Sequence, residues 1–136
     1  MNTILKFIKK HFLKILVGLA IVCLLMTKLL PSKPKRITGG AGEKTADLVL
    51  IYAPWCGHSK NMLEDYARVE KDYHGKNMNG HTLNILKYSS EEDSEEVKKR
   101  NVKGFPTLFF EKDGRREPFP HRTYDKIVAG LNKLTS

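Results

Sequence analysis

Leu48-Val49-Leu50-Ile51-Tyr52-Ala53-Pro54-Trp55-Cys56-Gly57-His58-Ser59-Lys60 decides the fold. Its first six residues are an unbroken apolar run with β-branched and aromatic members, the pattern of a strand buried on both faces. Pro54 stops that strand, because a residue without an N–H cannot continue a ladder. From Ser59 to Tyr73 the apolar positions Met62, Leu63, Tyr66, Ala67, Val69 and Tyr73 recur at helical spacing and predict a helix packed on a core. A strand therefore feeds almost directly into a helix. Cys56 stands at the helix's first turn, where unpaired N–H groups and the helix dipole favour an anion.

Working outward, residues 74–81 hold Gly75, Asn77, Asn79 and Gly80 and read as a loop, and residues 82–88 alternate as a second strand should. Ser90 with Asp93 three positions on reads as a capping signal for a helix through Arg100. Acids at 91–93 and bases at 98–100 complement its dipole, and Glu95/Lys99 and Glu96/Arg100 are spaced to pair. After Gly104-Phe105-Pro106 come a strand over 107–111, a tight turn at Asp113-Gly114 and a short edge partner over 115–119 that carries Pro118. A last helix over 124–134 presents Ile127, Val128, Leu131 and Leu134 on one side. The order is β-α-β-α-β-β-α, without internal repeat. An α/β domain with a central sheet covered by helices on both faces is the architecture this order implies.

The 136 residues carry a net charge of +9, but unevenly. Residues 1–44 hold nine Lys+Arg and one acid, whereas residues 45–136 hold fifteen and fourteen. The basicity thus belongs to the N-terminal segment, which argues against nucleic acid as a partner, since a binder of nucleic acid carries its charge on the folded surface. Residues 15–26 are uncharged and apolar, and adding Phe12, Leu13, Leu29 and Leu30 with snorkelling Lys14 and Lys28 extends the run to 19 residues. That length nearly matches the ~20 residues that cross a bilayer core. A cleaved signal peptide is the competing reading, but Thr27-Lys28-Leu29-Leu30 is too bulky and charged for a cleavage site. The organisation read here is a basic flank over 1–11, a transmembrane signal anchor over 12–30, a Gly/Pro/Lys-rich flexible linker over 31–46 and a folded domain over 47–136. Lysines and arginines balance across the apolar run, so they do not orient it. Cys23 lies within the run and Cys56 beyond the linker, and no disulfide is expected between them in one chain. His11, His58, His74, His81 and His121 share no ligand spacing, so no metal site is expected.

With Tyr52-Ala53-Pro54-Trp55-Cys56-Gly57-His58 at a strand-to-helix junction and Val102-Lys103-Gly104-Phe105-Pro106-Thr107 about fifty residues on, the domain resembles the thioredoxin superfamily, specifically protein disulfide isomerase catalytic domains. The resemblance spans roughly residues 47–134. It implies a minimal thioredoxin-like fold with a mixed sheet, a cis Pro106 facing Cys56, backbone at Phe105 offered to an extended client, and Trp55 shielding the sulfur. It also implies thiol–disulfide exchange on client proteins, with Cys56, His58 and Ser59 as the reacting group and its supports, and Trp55, Gly57, Phe105 and Pro106 as the substrate side. An oxidising lumen is the compartment it implies. Four departures stand out: Ser59 at the second-cysteine position, Leu50 where a buried acid is usual, Glu64 in place of a kink proline, and no strand and helix before the site.

These residues limit the chemistry. Cys56, primed by the helix start and by donors from His58 and Ser59, is expected to be a reactive thiolate at neutral pH. It can attack a disulfide, but Ser59 cannot open the product, so release depends on a second client thiol or on glutathione as co-substrate. The first reading is therefore a membrane-anchored monothiol oxidoreductase or isomerase with no resident cofactor. A redox-inactive module that binds or retains clients is the alternative. A third reading notes that Cys-Gly-His-Ser resembles the Cys-Gly-Phe-Ser site of monothiol glutaredoxins, which implies glutathione-assisted iron–sulfur binding.

Overall fold

The computed structural model describes residues 14, 16–22, 33–40 and 42–136. Two compact units divide at Ser32/Lys33. In the first, Lys14 and residues 16–22 are helical, and Leu16, Val17, Leu19, Ile21 and Val22 are exposed. Among the described residues no helix is long and apolar enough to cross a membrane. The basic flank, most of the 12–30 run and Cys23 lie outside the described residues.

The second unit is a five-stranded mixed sheet with three helices. Its elements are β1 (Lys44–Tyr52), α1 (Gly57–Tyr73), β2 (Asn77–Met78), β3 (His81–Ser89), α2 (Ser94–Lys99), β4 (Thr107–Lys112), β5 (Arg115–Pro118) and α3 (Tyr124–Thr135). The strand order is β2-β3-β1-β4-β5. β1 runs parallel to β3 with Leu48 beside Ile85 and antiparallel to β4 with Leu48 beside Phe110, while β2/β3 and β4/β5 are antiparallel.

Alternation along β1 divides the core. Leu48 and Leu50 point to one face, where they meet Leu83, Ile85, Leu108 and Phe110 of the sheet, Met62, Tyr66 and Val69 of α1, and Ile127 and Leu131 of α3. Val49 and Ile51 point to the other, with Leu86 and the partly buried Tyr88, Val97, Val102, Phe105 and Phe109. Both faces of β1 are buried, as its continuous apolar run requires. Helices flank both faces, but unequally: α1 and α3 cover the first, and only the six-residue α2 belongs to the second.

Several elements differ from the sequence expectation. β1 starts at Lys44, three residues before Asp47, because its first residues pair with His81 and Thr82 of β3. The segment read as a loop contains β2, two residues that hydrogen-bond as a hairpin with His81 and Thr82. α2 begins at Ser94 and not near Ser90, because the Asp93 carboxylate that was to cap it accepts instead from Ser89 N at 2.8 Å. The Ser90 hydroxyl is buried without a partner among the described residues. On α2, Glu96 pairs with Arg100 as its spacing suggests, but Glu95 reaches Lys98 and not Lys99.

The largest difference concerns residues 33–40, which composition reads as a flexible stalk. Lys33 Nζ sits 2.9 and 2.8 Å from the Asp93 oxygens, and Arg36 Nη2 sits 2.6 Å from Asp47 Oδ2. Ile37 exchanges two hydrogen bonds with the Asn84 carboxamide: its N–H donates to Oδ1 at 2.8 Å, and Nδ2 donates to its carbonyl at 3.0 Å. A side-chain amide offers the same donor and acceptor as a peptide group, so Asn84 holds this strap much as a neighbouring strand would. Asn84 and Asp47 are both buried, and Asn84 Nδ2 also donates to Asp47 Oδ1 at 2.8 Å. Gly75, at φ +77°, admits the strap closely: a Cβ there would lie 3.1 Å from Ile37 Cδ1.

Candidate active site

The site forms where β1 ends and α1 begins. Cys56 is the N-cap of α1, with an extended backbone at φ −83° and ψ 120°. Its N–H donates to Ala53 O at 3.0 Å, and its carbonyl accepts the first helical bond from Lys60 N at 3.1 Å. The thiol is therefore held against a helix start whose backbone donors point at it. The antiparallel register that places Thr107 beside Ile51 brings Phe105 and Pro106 to the same end of the sheet. The Phe105–Pro106 peptide is cis, and Cys56 Sγ lies 3.5 Å from Phe105 O, the carbonyl of that peptide. Two motifs fifty residues apart in sequence thus meet at one sulfur.

The supporting residues divide clearly. Ser59 is fully buried, and its Oγ accepts from Ala53 N at 3.3 Å, locking the turn. Trp55 is 68 % exposed and stands edge-on to Phe105, ring centroids 6.0 Å apart. Its packing partner is that ring. Gly57 is exposed at the first helical position, and a Cβ there would meet nothing within 4 Å. His58 is also exposed and lines a shallow groove with Asn61, Met62, Asp65, Arg122 and Thr123. Leu50 is wholly buried on the α1 side of β1, in an apolar cluster.

Electrostatics favour the ionised sulfur. The Ser59 backbone N–H holds the Cys56 thiol below its ordinary value; desolvation pushes it the other way, and the Ser59 hydroxyl, the His58 backbone N–H and the positive charge of Arg122 help lower it. Arg122 is the contributor that motif reading misses, because it lies sixty-six positions from Cys56 in a loop without a pattern. Among the described residues no three His, Cys, Asp or Glu side chains gather to hold a metal ion.

The family Thioredoxin matches residues 40–133. The chain belongs to the thioredoxin family. Among its relatives, protein disulfide-isomerase of Gallus gallus is 34 % identical over 92 residues, which is 65 % of this chain and 17 % of that protein. Protein disulfide-isomerase of Oryctolagus cuniculus is 36 % identical over 92 residues, 65 % of this chain and 18 % of that one. The chain spans less than a fifth of the length of these two relatives. The first thioredoxin domain of mouse protein disulfide-isomerase A4 superposes with a TM-score of 0.56 at 26 % identity, covering 71 % of this chain and 67 % of that domain. This thioredoxin domain therefore has disulfide-isomerase-like relatives, and its residue 59, three positions after Cys56, is a serine.

Proposed function

We propose that this is a membrane-anchored monothiol thiol–disulfide oxidoreductase or isomerase, with Cys56 as the nucleophile toward disulfides of client proteins or of glutathione. The observation that carries it is the Cys56 thiol itself: held below its ordinary pKa at a helix start, 3.5 Å from the carbonyl before cis Pro106, with buried Ser59 in the second position.

In the first step the Cys56 thiolate attacks one sulfur of a disulfide. A new S–S bond forms, the old one breaks, and the electron pair leaves on the departing thiolate. Ser59 cannot reverse this, because an alcohol is not ionised at neutral pH and forms no comparable bond to sulfur. A second thiol of the client, or glutathione, attacks the mixed disulfide and regenerates Cys56. The Ser59 and His58 backbone donors stabilise the thiolate as attacking and leaving group, and Trp55, Gly57, Phe105 and Pro106 form the substrate side. Residues 12–30 anchor the chain, a reading supported by the length of their apolar run, 19 residues with snorkelling Lys14 and Lys28. The domain then faces an oxidising lumen, where such exchange is useful.

Reactivation of a scrambled disulfide protein tests this: the chain with glutathione should restore activity, and Cys56→Ala should not. Inactivity of the parent chain with glutathione overturns it. The exposed Trp55–Phe105 pair supports a second reading, a module that holds clients without exchange. Client binding that survives Cys56→Ala unchanged favours that reading.

A further inference from the structure

Cys56 has two unlike flanks. On one, its sulfur lies 3.5 Å from Phe105 O, and the exposed Trp55 ring stands edge-on to Phe105. That flank is aromatic and uncharged, and it suits a peptide. The other begins at the start of α1, where His58, Asn61, Met62 and Asp65 recur at helical spacing and form one wall of a groove. Arg122 and Thr123, in the loop that leads into α3, form the facing wall, and neither Trp55 nor Phe105 lines it. Arg36, Arg68, Arg100 and Arg116 each pair with a carboxylate. Among the described residues Arg115 and Arg122 pair with none, and both are exposed. Of these two, Arg122 is the one whose positive charge reaches Cys56, where it helps hold the thiol below its ordinary value. The groove's own carboxylate, Asp65, is engaged by Arg68 at 3.5 Å. The Arg122 charge therefore faces the groove uncancelled.

A guanidinium beside a disulfide-forming sulfur selects an anionic partner, because its planar fork matches a carboxylate. Glutathione carries two carboxylates and one ammonium about a central cysteine. Bonded to Cys56, it sends a carboxylate-bearing arm to either side of the sulfur. An arm laid along the groove brings its carboxylate to Arg122, with the Asn61 carboxamide and the Thr123 hydroxyl beside it. We infer, on the thiol reading above, that this groove seats the glutathionyl half of a disulfide, with Arg122 recognising its carboxylate, and that glutathione disulfide and glutathionylated proteins are the substrates Cys56 takes in preference. The Cys56 thiolate attacks the glutathionyl sulfur: a Cys56–glutathione S–S bond forms, the old S–S bond breaks, and the electron pair leaves on the client thiolate, which takes a proton from water. A glutathione thiolate then attacks the glutathionyl sulfur on Cys56, forming glutathione disulfide and returning the Cys56 thiolate. The net change turns a glutathionylated client and one glutathione into a client thiol and glutathione disulfide.

The test uses the full chain with Cys23→Ala, so that Cys56 is its sole cysteine. Adduct formation is followed by intact-protein mass spectrometry with glutathione disulfide and, separately, with hydroxyethyl disulfide, which carries no charge. The ratio of the two rates cancels any change in the reactivity of the thiol itself. Arg122→Gln should lower that ratio by about threefold, the size of an exposed ion pair, and Arg122→Lys should restore part of it. Arg115→Gln removes the same charge at the opposite end of the sheet and should leave the ratio in place. In about 1 M salt, where charges are screened within ~3 Å, the parent ratio should fall to that of Arg122→Gln. With a glutathionylated peptide, the adduct on Cys56 should be glutathione more often than the peptide. A ratio unmoved by Arg122→Gln or by salt, with Cys56 reactive toward hydroxyethyl disulfide, overturns the groove as a glutathione site and leaves the thiol chemistry standing. An equal fall in Arg115→Gln makes the effect one of net charge and overturns it as well, as does a predominance of peptide adduct. A Cys56 unreactive toward both disulfides overturns the thiol chemistry itself.

Discussion

Replacing Ser59 with cysteine supplies a second sulfur and locates the limit on turnover. Ser59 is fully buried, and its Oγ accepts one hydrogen bond, from Ala53 N at 3.3 Å. A thiol accepts more weakly, which costs about 0.5–1 kcal/mol, partly offset because sulfur is buried more readily than a hydroxyl. Stability should therefore fall by no more than about 1 kcal/mol, or roughly 4–8 °C in Tm for a domain of this size. Ionisation is the larger effect. A free thiol with a pKa of ~8.5 is about 3 % thiolate at pH 7. Burial with apolar Leu50, and no acid, in the facing core raises that pKa by about one unit or more, leaving roughly 0.3 % or less. The introduced thiol should open the mixed disulfide on Cys56, at least about tenfold more slowly than an unburied thiol held in the same place, and close to tenfold faster per pH unit between about 7 and 9. Non-reducing electrophoresis of a trapped Cys56–peptide adduct, followed against pH, measures this. The parent adduct should persist until glutathione is added. A parent adduct that decays as fast as that of Ser59→Cys, or a Ser59→Cys decay independent of pH, refutes the reasoning.

The thiol's own titration is a second test. Because the fold favours the ionised sulfur, iodoacetamide alkylation of Cys56 should rise through a midpoint below the ordinary thiol value and then level off; a midpoint at or above that value contradicts the assignment. The linked stability contribution is full above the ordinary thiol value and is lost as pH falls through the depressed midpoint, so Cys56→Ala should remove an alkaline increment in ΔG measured by urea titration. Arg122→Glu should move the alkylation midpoint upward, since it reverses a charge that helps hold the thiolate. Trp55→Ala should weaken capture of unfolded peptides several-fold while leaving the alkylation midpoint in place, because its ring packs on Phe105.

The parts legible in the sequence are those encoded by local periodicity or by rigid residues. The run over 48–53 predicts a doubly buried strand because every position is apolar, and the helical spacing from Met62 to Tyr73 predicts α1. Cys56 and Pro106 were legible as a pair because each sits in a motif at an element boundary. What was not legible depends on pairing between distant residues. Asp47 and Asn84 each look like an ordinary polar position in a strand, and only the β1/β3 register, which sets them side by side, shows a buried pair built to grip the chain at Ile37. Asp93 has the spacing of a capping residue, but Ser89 N and Lys33 compete for its carboxylate and win. β2 is too short for any period to register, and Arg122 reaches the site only through the tertiary fold.

The unequal faces of the sheet separate stability from strap attachment, and two substitutions test that division. Tyr66 is wholly buried on the α1 face, with its hydroxyl 2.9 and 2.6 Å from the carbonyls of Leu48 and Leu86. Tyr66→Phe leaves the ring in place but strips a donor from the β1/β3 junction, at a cost of about 1–2 kcal/mol and roughly 4–16 °C in Tm. Asn84→Leu removes both bonds to Ile37 and the bond to Asp47, and leaves that buried carboxylate to Arg36 alone. Its cost should also be a few kcal/mol, about 2–4, because a buried charge loses a donor. Both variants therefore lower Tm, Asn84→Leu by the larger amount, and hydrogen exchange tells apart where the loss falls. Under native conditions the amide of Ile37 should exchange by local opening far faster in Asn84→Leu, with the amides of β1 protected to the global limit, whereas in Tyr66→Phe all of them should quicken together. If Ile37 keeps its protection in Asn84→Leu, the strap is held by something other than the carboxamide, and the reading of Asn84 as the residue that grips it fails.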